Sequence, residues 1–68
     1  MSQVHIENIT EEDEAWDTYS VIDGMTPYRV DIVDGCEYEA YDTAGNGIKD
    51  VWLAGTLIDQ VINFRKGE

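Results

Sequence analysis

The stretch YRVDIVDGCEYEAY at positions 28–41 decides the fold class, because apolar and polar side chains alternate on both sides of Asp34-Gly35. A period of two is typical of β-strands, and Asp-Gly is a strong turn signal. The sequence therefore predicts a β-hairpin. A three-residue loop at 33–35 would pair Ile32 with Cys36, and also Val30 with Tyr38. This register keeps the apolar side chains on one face of the hairpin.

Asn46-Gly47 predicts a second hairpin, since this dipeptide is the strongest short hairpin signal. A two-residue loop there would pair Tyr41 with Trp52 and would put Leu53 on the apolar face. The same register predicts a polar outer face that consists of Arg29, Asp31, Glu37, Glu39, Tyr41, Asp50 and Trp52.

A helix is predicted after Gly55, with Thr56 as its N-cap and Gly67 after its end. Its apolar side chains recur at helical spacing and are expected to cover the inner face of the sheet. They are Leu57, Ile58, Val61, Ile62 and Phe64.

The first third of the chain leaves alternatives open. Residues 15–22 are rich in β-branched and aromatic types, which favours a strand that pairs with 28–33. Thr10 followed by four acids is also typical of a helix start. Residues 4–6 add an edge strand or stay loose within an acidic segment at 1–14. We expect one α+β domain over residues 1–68: a small antiparallel meander of three or four strands with one C-terminal helix packed on one face.

The charge of the chain is strongly acidic and uneven. The net charge is −11, and residues 1–47 hold twelve acids against the single basic residue Arg29. Such a field repels nucleic acid and anionic lipid and attracts basic protein surfaces. No stretch approaches the roughly 20 apolar residues that span a bilayer. We therefore expect a cytoplasmic protein that binds neither nucleic acid nor membrane directly.

Catalytic and metal motifs are not evident in the sequence. His5 is the only histidine, and the predicted register puts Cys36, the only cysteine, on the core face. Residues 42–53 resemble a calcium loop, but Ala44 and Leu53 stand where such a loop needs oxygen ligands. We expect a turn there, no enzyme activity, no cofactor and no metal site.

Two groups of residues are candidates for binding a partner. In the predicted register Asp31 faces Glu37, and opposed like charges do not stabilise a sheet. The first group surrounds this pair and consists of Asp31, Glu37, Glu39, Tyr41, Asp50 and Trp52. The second group is the acidic run Glu11, Glu12, Asp13 and Glu14. The alternative is that the aromatic pair stabilises the sheet and the acids serve solubility.

In size, acidity and lack of catalytic residues, the whole chain resembles small phage-encoded inhibitors of host defence or transcription. These include DNA-mimic antirestriction and anti-CRISPR proteins. The resemblance implies an inhibitor that blocks a basic, nucleic-acid-binding surface of another protein in the host cytoplasm. The competing hypothesis is a structural or adaptor module, either monomeric or homodimeric, whose partner-facing surface is apolar and whose acidity serves only solubility.

Overall fold

The computed structural model describes residues 4–33 and 37–67, which form four β-strands and one α-helix. The strands are β1 (Val4–Asn8), β2 (Asp17–Asp23), β3 (Thr26–Val33) and β4 (Glu37–Tyr41), and the helix is α1 (Val51–Lys66). The strands pair antiparallel in chain order, and α1 packs against β4, β3 and β2. The predicted α+β meander with a C-terminal helix is confirmed.

The first third of the chain forms the edge strand β1 and the strand β2. Of the two alternatives for residues 15–22, the strand is the one observed, and no helix starts at Thr10. In the β2–β3 hairpin Asp23 pairs with Thr26, which leaves Gly24 and Met25 as a two-residue turn. Gly24 has φ +65°, in the left-handed region that glycine adopts without strain.

The β3–β4 register differs from the predicted one by two residues. Val30 pairs with Ala40 and Ile32 with Tyr38, so the predicted pairing of Val30 with Tyr38 is wrong. The predicted pairing of Ile32 with Cys36 is wrong as well, since Ile32 pairs with Tyr38. The predicted placement of Cys36 on the core face lies outside the described residues. A shift of two keeps every side chain on the same face. The faces of β3 and β4 are therefore as predicted although the partners are not.

The predicted second hairpin is also wrong, because the chain turns after Tyr41 and enters a helix. The Asp42 carboxylate accepts hydrogen bonds from the backbone N–H groups of Ala44 and Asn46, both at 2.9 Å. Among the described residues, a bridge between Tyr41 and Gly47 is all that continues the ladder. Tyr41 therefore has no strand partner at Trp52.

Helix α1 begins at Val51, six residues before the start predicted from a Thr56 cap. Asp50 is the N-cap: its Oδ1 accepts from the N–H groups of Trp52 and Leu53 at 3.0 and 3.3 Å. These are amides that would otherwise have no partner at the helix start. Thr56 lies inside the helix, where its hydroxyl donates to the Trp52 carbonyl. Gly67 ends the helix as predicted.

The core lies between α1 and one face of the sheet, which we call the inner face. Its buried apolar side chains are Tyr19, Val21, Val30, Ile32, Ala40, Leu57 and Val61. Within the described ranges, no helix is long and apolar enough to cross a membrane. The opposite face of the sheet, which α1 does not cover, is called the outer face.

Candidate partner-binding surface

The outer face carries every second side chain of the four strands, because successive side chains point to opposite sides of a sheet. Four of its members are acids and one is a basic residue. The face consists of His5, Glu7, Thr18, Ser20, Ile22, Pro27, Arg29, Asp31, Val33, Glu37, Glu39 and Tyr41.

Arg29 joins two acids at the centre of the outer face. Its Nε lies 3.3 Å from Asp31 Oδ1, as an ion pair without hydrogen-bond geometry. Its guanidinium carbon lies 4.7 Å from the centroid of the Tyr41 ring, within cation–π range. The Tyr41 hydroxyl in turn donates a hydrogen bond to the Glu39 carboxylate. One cation therefore lies between two acids, pairing with Asp31 directly and reaching Glu39 only through Tyr41, and the group keeps a net negative charge.

The opposed pair of acids is not the predicted one. Asp31 faces Glu39, whereas Glu37 faces Val33. The reason is the two-residue register shift, which keeps both glutamates on the outer face but exchanges their partners. Two acids still oppose each other across β3 and β4, and Arg29 lies next to them.

Asp31 and the two glutamates differ in accessibility. Asp31 is only 6% exposed, although it lies on the face that α1 leaves open. The register places it between Thr18 of β2 and Glu39 of β4. Glu37 and Glu39 are both exposed. The glutamates are therefore the carboxylates that a partner can reach, and Asp31 acts by holding Arg29.

The electrostatic environment of Tyr41 reflects this arrangement. The hydrogen bond to Glu39 raises the pKa of the Tyr41 hydroxyl above its usual value. Desolvation and the charges of Glu39 and Asp31 raise this pKa further, and the charge of Arg29 opposes them. At neutral pH the Tyr41 hydroxyl is consequently a stable donor to Glu39.

The acidic run of the β1–β2 connection reaches the outer face at one point. The Thr18 hydroxyl donates to Glu14 Oε2 at 3.0 Å, and the Thr10 hydroxyl accepts from Thr18 N–H at 3.0 Å. These two contacts hold the connection against the start of β2. Three further acids of the connection are exposed: Glu11, Glu12 and Asp13.

Asp50 and Trp52 do not lie on the outer face, where the sequence placed them. Both belong to the start of α1, and Tyr41 contacts Arg29 instead of Trp52. Trp52 is 84% exposed and the adjacent Val51 is 77% exposed. A signal for the true helix start was present in the sequence: Asp50 is a good N-cap, and Leu53, Leu57 and Val61 follow at four-residue spacing.

The segment that resembles a calcium loop is a turn. Asp42 directs one carboxylate oxygen at the turn's own backbone, and the Asp42 N–H donates to the Asn46 carbonyl at 2.9 Å. In the part of the chain that the structure describes, no group of three or more His, Cys, Asp or Glu side chains is arranged to hold a metal ion.

Comparison of the chain with protein-family models, with curated proteins and with solved structures found no match.

Proposed function

We propose that this chain is a small acidic inhibitor whose outer face binds and blocks a basic, nucleic-acid-binding surface of another protein. The observation that supports this most directly is an accessible pair of carboxylates beside which the described residues place no free cation. Glu37 and Glu39, two outward side chains of β4, are exposed on a face that α1 leaves open. The one arginine or lysine among the described residues of this face, Arg29, is already engaged by Asp31 and Tyr41.

The spacing of these carboxylates suits a basic surface. Glu37 and Glu39 are two residues apart on β4, which separates their Cα atoms by about 7 Å. Several Arg or Lys side chains can contact such a row at once, as they contact successive phosphates of a nucleic acid. Glu14, which accepts a hydrogen bond from the Thr18 hydroxyl, extends the acidic surface of the same face toward the start of β2.

Stability alone does not explain the composition of the outer face. Directly opposed like charges, such as Asp31 and Glu39, destabilise a sheet by some tenths of a kcal/mol. Neutral β-formers at these positions would support the same sheet at no electrostatic cost. The acids are therefore better explained by what they bind. The proposal assigns the protein no catalytic step and no cofactor, and places it in the cytoplasm with its target.

The first experiment is affinity capture from lysate of the cell in which the protein acts. Bait protein is incubated at about 50 and about 300 mM salt. Interactions between exposed charges are screened beyond roughly 10 Å at 0.1 M salt, so these two conditions lie on either side of that strength of screening. We expect one basic nucleic-acid-binding protein at low salt, released by higher salt and by added duplex DNA. A Glu37→Gln/Glu39→Gln bait should lose it. A partner that remains at higher salt, in the presence of DNA and on the variant bait would contradict the proposal.

The exposed start of α1 favours a second candidate function, that of an adaptor. Val51 and Trp52 form an exposed apolar pair, and tryptophan is enriched among residues that dominate binding energy at interfaces. An adaptor of this kind would hold its partner through apolar contact, which salt barely weakens. Capture that resists 300 mM salt and is lost in Trp52→Ser would support the adaptor. Capture that Trp52→Ser leaves unchanged would exclude it.

A further inference from the structure

The two edges of the sheet differ in how far they are covered. Along β4, the open edge is approached by the following turn, where Ile48 N–H donates to the Ala40 carbonyl at 3.0 Å. Along β1, none of the described residues pairs with the edge that faces away from β2. Such an edge offers a row of backbone donors and acceptors to another strand.

The alternation of hydrogen bonds in the β1–β2 ladder shows which residues of β1 direct their backbone N–H and C=O groups at the open edge. Ile9 N–H donates to the Thr18 carbonyl at 2.9 Å, which marks residue 9 as a member of a hydrogen-bonded pair. Hydrogen-bonded and non-hydrogen-bonded pairs alternate along an antiparallel ladder. His5 and Glu7 therefore direct their backbone groups at β2, and Val4, Ile6 and Asn8 direct theirs outward.

We propose that β1 pairs antiparallel with β1 of a second copy of this chain, centred on Ile6, to form an eight-stranded sheet. In this pairing Ile6 of one copy forms a hydrogen-bonded pair with Ile6 of the other. Val4 of each copy forms a hydrogen-bonded pair with Asn8 of the other copy. Every outward backbone group of β1 therefore obtains a partner. The proposal concerns assembly and does not depend on the function proposed above.

The side chains of β1 are complementary to themselves in this register. His5 faces Glu7 of the second copy, twice in each dimer, at non-hydrogen-bonded positions where opposed side chains are closest. A basic or polar donor thus meets a carboxylate on the outer face. On the inner face, the two Ile6 side chains meet and extend the apolar contact that Val4 and Ile6 already make with the core.

This complementarity favours a second copy over an unrelated strand. The two-fold axis of an antiparallel strand pair is perpendicular to the sheet, so both helices lie on the same side. The outer faces of the two copies then form one surface, with Glu37 and Glu39 of each copy at its two ends. The self-repulsion of two chains of charge −11 weakens with added salt.

Sedimentation velocity over a wide concentration range, at about 50 and about 500 mM salt, tests the dimer. We expect a monomer–dimer equilibrium that shifts toward dimer as salt rises, opposite to the salt effect on a carboxylate-bound basic partner. A monomer at the highest concentration and salt would overturn the proposal.

Charge variants locate the interface. Glu7→Lys and His5→Glu should each weaken the dimer about fivefold, because each removes two cross-strand attractions per dimer. The double variant His5→Glu/Glu7→Lys places opposite charges across the interface and should recover the dimer. Glu37→Lys is the matched control: it makes the same change in net charge as Glu7→Lys at the far edge, and it should not weaken association. Equal effects of Glu7→Lys and Glu37→Lys would refute the interface.

A backbone variant tests the ladder phase. Val4→Pro removes an outward N–H and should leave the β1–β2 ladder intact while it weakens the dimer. His5→Pro removes an N–H that points at β2, and it should lower the melting temperature as well. A dimer unaffected by Val4→Pro in a protein that circular dichroism shows to be folded would contradict the proposed pairing.

Discussion

The two faces of the sheet are built from the same four strands but differ in burial and in charge. On the inner face, side chains such as Val30 and Ile32 are sealed beneath Leu57 and Val61 of α1. On the outer face, Arg29 contacts Asp31 and the Tyr41 ring, and the Glu37 side chain is exposed. Strand alternation lets one face specify the fold while the composition of the other stays free for binding.

The largest expected effect is on the inner face. Leu57→Ala should lower the free energy of unfolding by about 3 kcal/mol, since it removes most of a fully buried helix side chain and leaves a cavity in the core. Urea unfolding monitored by circular dichroism measures the change. Thr56→Ala, one residue away but exposed, is the control and should change stability by under about 0.5 kcal/mol. Equal losses in both variants would show that the helix is not packed as described.

The next effect tests whether the outer face has one stabilising element. Arg29→Ala should lower the free energy of unfolding by about 2 kcal/mol, because it leaves the nearly buried Asp31 carboxylate opposite Glu39 without a cation. Asp31→Asn added to Arg29→Ala should recover part of that loss. If Arg29→Ala is neutral, the network does not contribute to stability, and the two faces differ even more sharply.

Glycine-to-alanine substitutions should have opposite effects on stability in α1 and in the turn after β4. Gly55→Ala is expected to stabilise the protein by about 1 kcal/mol, since a Cβ there meets no atom within 4 Å and alanine favours the helix. Gly45→Ala is the matched control and should destabilise, because Gly45 has φ +86°. Thermal melts of both variants decide this. A stabilising Gly45→Ala would contradict the turn geometry.

The smallest effect is on the titration of Tyr41. Its pKa is raised, first by the hydrogen bond to Glu39, so this contact stabilises the fold below a pH of about 10 and is lost as pH rises through the raised pKa. Glu39→Gln should lower the pKa of Tyr41 toward its ordinary value. NMR titration of the ring signal, assigned with Tyr41→Phe, measures it. An unchanged pKa in Glu39→Gln would mean that the hydrogen bond is absent in solution.

The sequence predicted which face each side chain of β3 and β4 occupies, because parity follows from alternation alone. It did not predict their partners: a shift of two residues preserves parity, so the pattern cannot distinguish the two registers. The observed register gains the contact between Arg29 and Tyr41.

The helix start was missed for a different reason. Asn46-Gly47 predicted a hairpin, while Asp50 and the apolar spacing after it supported a helix, and Gly55 counted against a helix through that segment. Packing of Leu53 and Ala54 against the core, together with the Asp50 cap, decided the competition. That outcome removed Asp50 and Trp52 from the predicted site and left Glu37, Glu39 and Tyr41 in it.

The central claim is that the exposed glutamates Glu37 and Glu39 bind a basic partner and contribute little to the stability of the fold. The most direct measurement is calorimetric titration of nona-arginine at about 50 mM salt into two variants with the same net charge: Glu37→Gln/Glu39→Gln and Glu12→Gln/Asp13→Asn. Unfolding of both variants is followed in parallel. We predict about tenfold weaker binding for the first variant only, a difference of about 1.4 kcal/mol, with folding free energies within about 0.5 kcal/mol of the parent. Equal binding by the two variants would contradict the claim, since charge alone and not the outer face would then govern the interaction.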